Sequence, residues 1–561
     1  MEDLSVYHRV CCAYVRAPDG QLFSCTGPLS SSFQAHWADL LPFITSPSLR
    51  QSLIFPSTTV DEKSPYTGAP SVTKSLIRVE SVHQDKLTVY ERSEEIDTGI
   101  VSGLVLRQPH SVGVELFDDV FASLLLQGIN LFTSTPQDKD QDTDPELKET
   151  TEKIVDLFDV WLRYAGDNDK WHSHGRQYFF GRVYEFVRRQ ARLEFCLPAF
   201  PCKSSNPDKV FGVMPDRGEQ LALEHLHAFL EAVGDIYKPG AKLWIVSDGH
   251  VFSDCIGVDD QTVDQYNAQL LKMSSAVSQR HGARDWIGFK SLVDMFDLRH
   301  CATEMQASLG LPPMDSYIAT QRTTAAELSR QMLVHSCGTD PAALRSRIKA
   351  ADHSALKLYR GFSRFMVEDL SRNRYTSHLS RAKLKQLASK VAFEMIQRND
   401  AYSNLVELFF PHHVRLSIHA HDNAGPKFGI RMFSPNVRAL DNLSLASGEM
   451  RSVDLLHVPT PWHNCIAAVS GQSTIVMTKS KVVRDALADG EFIGDWADEG
   501  HGGKAGHFSL HSPHKALYNV AQDHQDILDC CNPTNPYMWD MESTIDADMW
   551  YFRAVAGVGV F

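Results

Sequence analysis

LWIVSDGHVFSD, residues 243–254, begins as an unbroken apolar run and passes at once into a polar segment built around an Asp-Gly pair. Four consecutive apolar residues bounded by polar ones read as a strand covered on both faces, the pattern of a parallel sheet. Gly249 permits a tight turn directly after it. Upstream, LEFCL (193–197) is a second short apolar strand that stops at Pro198, and PAFPCKSSNPDK follows as an irregular loop. Between the two strands, Asp216 and Glu219 form a capping pair opening a helix whose apolar stripe includes Leu223, Leu226, Leu230 and Val233; KPG closes it. Another helix is expected from about Gln261.

This order predicts an α/β fold: a Rossmann-like core with a mostly parallel sheet and right-handed crossovers. Residues 315–400 read mostly as helices, and SDGHVFSD (247–254) as a loop. CIAAVS and STIVMT flank Gly471-Gln472 as a C-terminal hairpin with a two-residue turn. Both polar loops leave the carboxyl ends of their strands, the rim where open α/β sheets bind ligands. Residues 136–153, PQDKDQDTDPELKETTEK, contain no aromatic residue and read as an acidic linker whose end feeds a helix. The division expected is a small β-rich N-terminal domain over 1–135, containing SLIRVES and KLTVYERS, then the linker, an α/β domain over 154–510, and a C-terminal extension over 511–561.

At 561 residues, 43% hydrophobic and 22% charged, the chain can sustain several cores. A net charge of -14 argues against a general binder of nucleic acid or anionic membrane, so any bound anion must sit in a local basic pocket. The acidic start MEDLSVYHRV and the lack of an apolar run of about 18 residues argue against a secretory leader and a spanning helix. Eleven cysteines without a C-x-x-C support neither a zinc knuckle nor a disulfide framework; a cytoplasmic location with buried thiols is expected. There is no Walker loop and no G-x-G-x-x-G.

RLSIHAHDNAGPKFGI (415–430) carries Arg415, Ser417, His419 and His421 at every second position, with Val414, Leu416, Ile418 and Ala420 between them. On a strand this puts a guanidinium, a hydroxyl and two imidazoles on one face. A solvated strand face is the plain alternative. Lys203 and Ser204 stand in the proline-bounded loop, and Ser247, Asp248, His250, Ser253 and Asp254 crowd one short segment. Arg360 and Arg364, four apart on one helix face, repel unless an anion lies between them; a solvated face or separate acidic neighbours such as Glu368 explain the pair equally well. TPWHN (460–464) offers Trp462 for packing and His463 for chemistry. His419-x-His421, His83-x-Asp85 and His524-x-Asp526 are metal-like fragments that a chain with 25 histidines produces by chance.

LPAFPCKS, PDRGEQLALEHL, SDGHVFSD with VDDQTVDQY, GFSRFMVEDL, AYSNLVELFFPHHVRLSIHAH, GPKFGI and TPWHN occur in an order that closely resembles the isocyanide synthase family, also known as the pyoverdine/dityrosine biosynthesis family. The likeness covers roughly residues 154–510 and is to the fungal type with an amino-terminal extension. It implies an enzyme that joins the amino group of an amino acid to ribulose 5-phosphate, keeping one sugar carbon as an isocyanide (isonitrile) for secondary metabolism, or as a formyl group in the dityrosine branch. No metal and no cofactor is implied. On this basis Lys203, Arg217, Arg415 and Lys427 are expected to hold anions, with Arg360 or Arg364 as a second clamp and Ser417 beside them. His250, Asp248, Asp254, His419 and His463 are candidates for proton transfer, and His421 for orienting a neighbour. The partners expected are the amino acid and the ketose phosphate, with no nucleic acid and no membrane. The tail after residue 510 is too short for the fused iron and 2-oxoglutarate oxygenase of some fungal members, so a downstream oxidation falls to a separate protein. Alternatives are an N-formyl aromatic amino acid synthase for a spore wall, a non-catalytic sugar-phosphate-binding module, and a metal-dependent hydrolase built on His419 and His421. Tyr, Trp and aliphatic substrates such as Val all remain open.

Overall fold

The computed structural model describes strands within residues 10–107, Phe121, and residues 144–512 except 167, 189, 283, 411–412, 420, 444–458 and 501. Strands β1 (Val10–Arg16), β2 (Leu22–Cys25), β3 (Ile54–Pro56), β4 (Ser75–Val82), β5 (Leu87–Ile96) and β6 (Gly99–Arg107) form an antiparallel sheet in the order β2-β1-β6-β5-β4-β3. SLIRVES falls on β4 and LTVYERS on β5. Helix α1 (Pro145–Trp161) starts inside the stretch read as a linker: Asp144 accepts from the Glu146 N–H, Pro145 occupies the first turn, and Ile154, Val155 and Phe158 form the buried stripe.

After α2 (Arg176–Arg188) the alternation begins: β7 (Leu193–Pro198), α3 (Arg217–Ile236), β8 (Ala241–Ser247), α4 (Gly249–Ile256), α5 (Asp260–Arg280) and β9 (Ile287–Ser291). The capping box of Asp216 and Glu219 is present at α3. A helical stretch follows, comprising α6 (Leu292–Met295), α7 (Ala302–Leu309), α8 (Thr324–Cys337), α9 (Pro341–Lys349), α10 (His353–Leu370) and α11 (Arg381–Phe409), and then β10 (Val414–Ser417) and β11 (Lys427–Gly429). The core sheet is parallel throughout, in the order β11-β10-β7-β8-β9. Alternation of side chains sorts its two faces. Phe195, Leu197, Leu243, Ile245, Val414 and Leu416 pack against α1, α2, α3 and α5, whereas Cys196, Trp244 and Val246 face α4, α8, α10 and α11.

A second mixed sheet closes the chain: β12 (Val437–Ala439), β13 (Cys465–Val469), β14 (Ile475–Thr478), β15 (Ile493–Ala497) and β16 (His507–His511), in the order β12-β14-β13-β16-β15, with α12 (Ser480–Ala488) beside it. It docks on the start of α3, where the Arg217 N–H donates to Gly506 O at 2.9 Å and the Gln220 side chain to Gly503 O at 2.7 Å.

Three local expectations change. SDGHVFSD is mostly helix α4, because Gly249 starts a helix directly at the strand end. The alternating strand stops at Ser417, so His419 and His421 lie on the turn beyond it. The hairpin loop spans 470–474 rather than two residues: Gly471 has the positive φ of 75°, but the Gln472 N–H returns to Val469 O, β14 starts only at Ile475, and the first pair across the hairpin is Ala467 with Val476. Among the described residues, no helix is long and apolar enough to cross a membrane.

Candidate active site

Successive strands β7, β8 and β9 spread to one side while β10 and β11 pair on the other side of β7, so the strand order reverses between β7 and β10. Loops diverge at such a point and leave a crevice at the carboxyl edge. Here the β7 and β8 loops lie against each other. Ser247 Oγ donates to Phe200 O at 3.1 Å, and a Cβ on Gly249 would stand 2.2 Å from Pro201 O. Only glycine allows that approach.

Asp248 occupies this junction. Its side chain makes no capping bond to α4, and its Oδ1 is buried without a hydrogen-bond partner among the described residues. Burial pushes its pKa up to about 7. Two neighbours locate it. Burial and then the Asp248 charge push the Cys202 thiol up, and the same two causes push up Tyr402 of α11, which the Arg415 guanidinium pulls the other way. The Tyr402 hydroxyl is already committed, donating to Val246 O at 2.8 Å. A carboxyl poised near neutrality with a free oxygen can both take and give a proton.

Arg415 and Lys427 are directly opposed on adjacent parallel strands, on the sheet face covered by α11. Arg415 donates to Ser403 O at 3.1 Å and to Glu407 Oε1 at 2.8 Å; Lys427 Nζ donates to Ser403 Oγ at 2.6 Å and lies 3.9 Å from Glu407. Burial, then the neighbouring guanidinium, lower Lys427 to about 8 against the pull of Glu407 and Asp400. Burial raises Glu407, whose Oε2 is buried without a hydrogen-bond partner. Beyond the strand end, His421 Nε2 lies 3.0 Å from Ser417 Oγ, and the His419 and His421 rings are 6.1 Å apart. Burial and then His419, Lys427 and Arg415 depress His421 to about 4, so its ring is uncharged at neutral pH.

The structure thus gathers Arg415, Ser417, His419, His421 and Lys427 at the ends of β10 and β11, and Tyr402 of α11 responds to both Arg415 and the Asp248 charge at the end of β8. His463 belongs to an adjoining group: its ring meets Phe365 edge-on at 5.1 Å and its carbonyl accepts from Lys479 Nζ at 2.7 Å. Lys209 stands there 2.7 Å from Asp369, which also accepts from Ser204 Oγ. His250 is buried, its Nε2 3.1 Å from the Asp264 carboxylate.

The remaining expected residues sit elsewhere or are already paired. Lys203 is fully buried, 2.7 Å from Asp216 and 2.8 Å from Glu219, and donates to Pro461 O. Arg217 pairs with Glu224 at 3.2 Å. Asp254 receives both terminal nitrogens of Arg398, at 2.6 and 3.1 Å; despite its burial, Arg398 and Arg330 hold it below the usual carboxylate range. Arg360 and Arg364 lie exposed on α10. Sequence reasoning passed over Asp400, Tyr402, Ser403, Glu407 and Lys479. The first, third and fourth of these carry a signal, because steps of three and four place them on one helix face. Among the described residues, no three His, Cys, Asp or Glu side chains group as a metal site; His83, Asp85, His524 and Asp526 lie outside them.

A family model described as pyoverdine/dityrosine biosynthesis protein matches residues 183–490, and the chain belongs to that family. It is 46% identical over 367 residues to the spore wall maturation protein DIT1 of Saccharomyces cerevisiae, covering 64% of this chain and 67% of that one. It is 34% identical to the L-tryptophan isonitrile synthase AmbI2 of Fischerella ambigua, over 53% of this chain and 74% of that one. An L-tyrosine isonitrile synthase of Xenorhabdus nematophila is 32% identical over 54% and 76%. The crystal structure of PvcA from Pseudomonas aeruginosa aligns at 27% identity with a TM-score of 0.49, over 65% of this chain and 99% of that one.

Proposed function

We propose that the protein is an isocyanide synthase that condenses the amino group of an amino acid with ribulose 5-phosphate, without a metal or a cofactor. The observation that carries this reading is the opposition of Arg415 and Lys427 on β10 and β11 beside the strand-order reversal, with a neutral-range carboxyl, Asp248, at the carboxyl end of β8, two strands from β10. The substrates bring a carboxylate and a phosphate, which a guanidinium and an ammonium suit. Condensation, dehydration and elimination each move a proton, which Asp248 accepts and returns. His421, neutral and held against Ser417, orients that hydroxyl toward the substrate. Buried unpaired thiols such as Cys202 and Cys255 suit a reducing cytosol.

A second reading draws on the 46% identity to the yeast spore wall maturation protein: the same condensation, ending in an N-formyl amino acid. One experiment addresses both. Purified protein is incubated with ribulose 5-phosphate and a mixture of amino acids, and the products are weighed by mass spectrometry. An isocyanide is expected; a product heavier by one water supports the formyl branch, and unchanged substrates sink both readings.

A further inference from the structure

We propose that Lys427 captures the ketose first, forming an imine at the sugar C2 that the amino group of the amino acid then displaces. The inference rests on the ketose-phosphate reading above and adds a covalent step to it. A lysine serves as a nucleophile when it is partly desolvated and set beside another cation, so that the neutral amine is accessible at physiological pH. Lys427 meets both conditions. Arg415 is its register partner on the neighbouring strand, and α11 covers the pair. Its amine bonds to a hydroxyl, Ser403 Oγ, rather than lying in close contact with a carboxylate, and its side chain keeps 29% exposure, enough for a substrate to reach.

The other lysines near the crevice differ. Lys203 is wholly enclosed between two carboxylates, Lys209 lies against Asp369 and Glu368, and Lys479 is turned onto the His463 carbonyl. The charged and titratable groups around Lys427 are Arg415 from β10, Glu407 and Asp400 from α11, and His421 from the turn beyond β10. The balance closes without an oxidant. Nζ adds to the carbonyl carbon, the carbonyl oxygen leaves as water with the two protons of the neutral amine, and a C=N bond forms. The amino nitrogen of the second substrate then adds to the same carbon, and Lys427 departs as the free amine.

The test incubates the full chain with ribulose 5-phosphate alone, quenches with borohydride and maps the peptides by mass spectrometry. A reduced pentulose phosphate on Lys427 is expected, and adding the amino-acid mixture before the quench should diminish it. Lys427→Arg keeps the charge and cannot form the imine; it should bind ribulose 5-phosphate within a few-fold of wild type by calorimetry while turnover falls about a hundredfold or more. Lys427→Met, compared by thermal melting, separates misfolding from lost chemistry. Binding with no adduct, an adduct on Lys479 instead, or near-normal turnover in Lys427→Arg overturns the covalent step and leaves the condensation standing. Absence of both binding and product overturns the two together.

Discussion

Asp248 and Lys203 are both deeply placed ionisable groups near the carboxyl edge, and their surroundings give them opposite fates. Lys203 has two carboxylates within 2.8 Å, so although burial alone would lower its pKa, Asp216 and Glu219 raise it and it remains an ammonium. Removing it strands negative charge in the interior, and Lys203→Met should cost about 3–5 kcal/mol in chemical denaturation. A loss below about 1 kcal/mol would show that Asp216 and Glu219 simply take up protons. Asp248 has no cation to offset its burial. Its folded pKa of about 7 exceeds the ordinary 3.8, so the proton it holds contributes stability fully below about pH 4, and that contribution is lost as the pH rises through 7. Asp248→Asn should therefore melt with wild type near pH 4, gain up to ~4 kcal/mol above pH 7, and form no product. Equal stability at both pH values would mean that the carboxyl is solvated. Neither fate was legible in the sequence. The Asp-Gly pair marked a turn and the lysine marked a loop, but burial and partners 13 and 16 residues away follow only from the fold.

Among the elements, α4 explains why a segment that reads as a loop becomes the rigid floor of the rim. It has eight residues, too few to be stable alone. Tertiary clamps supply what its length cannot: Arg330 of α8 donates to His250 O at 2.9 Å and binds Asp260, and Arg398 of α11 donates to Val251 O and both Asp254 oxygens. Both arginines are fully buried, and neither declared that role in sequence, since a lone arginine on a helix is ordinarily a surface residue. The apolar helix periodicities were legible, as were the capping box at α3 and the alternation at Val414–Ser417. The strand's early end was not, because nothing in the HAHDN composition distinguishes a turn from a continued edge strand. Arg398→Met should cost about 3–5 kcal/mol by leaving Asp254 underpaired, and should lower kcat by loosening α4. In Arg398→Met with Asp254→Asn the loss should shrink, because Asp254 no longer leaves an underpaired charge and only Glu394, the other partner of Arg398, loses its cation. Additive losses in that double variant would place the effect in packing rather than in the ion pair.

For the whole molecule, the strand-helix alternation disclosed the parallel core because each apolar run has the length of one strand and each periodic run that of one helix. The joining of distant segments was less visible. TPWHN packs on the loop after β7 through the Ser204 N–H to Trp462 O bond of 2.8 Å, which no spacing rule predicts across 258 residues. Phe121 is the sharpest case. It precedes the acidic stretch, yet its side chain is completely buried in the core on the α11 side of the sheet, with its ring 6.3 Å from that of Phe296. The segment ahead of α1 thus contributes an anchor to the α/β core, a role that charge composition conceals. Truncating the ring in the full chain removes that anchor and leaves everything else in place, so Phe121→Ala should cost about 3–5 kcal/mol. A chain beginning at residue 144 should lose at least as much, read by denaturant midpoint, with product formation surviving wherever the protein remains folded. If Phe121→Ala melts within about 1 kcal/mol of wild type, the core closes without this ring, and the α/β unit is energetically independent of what precedes it.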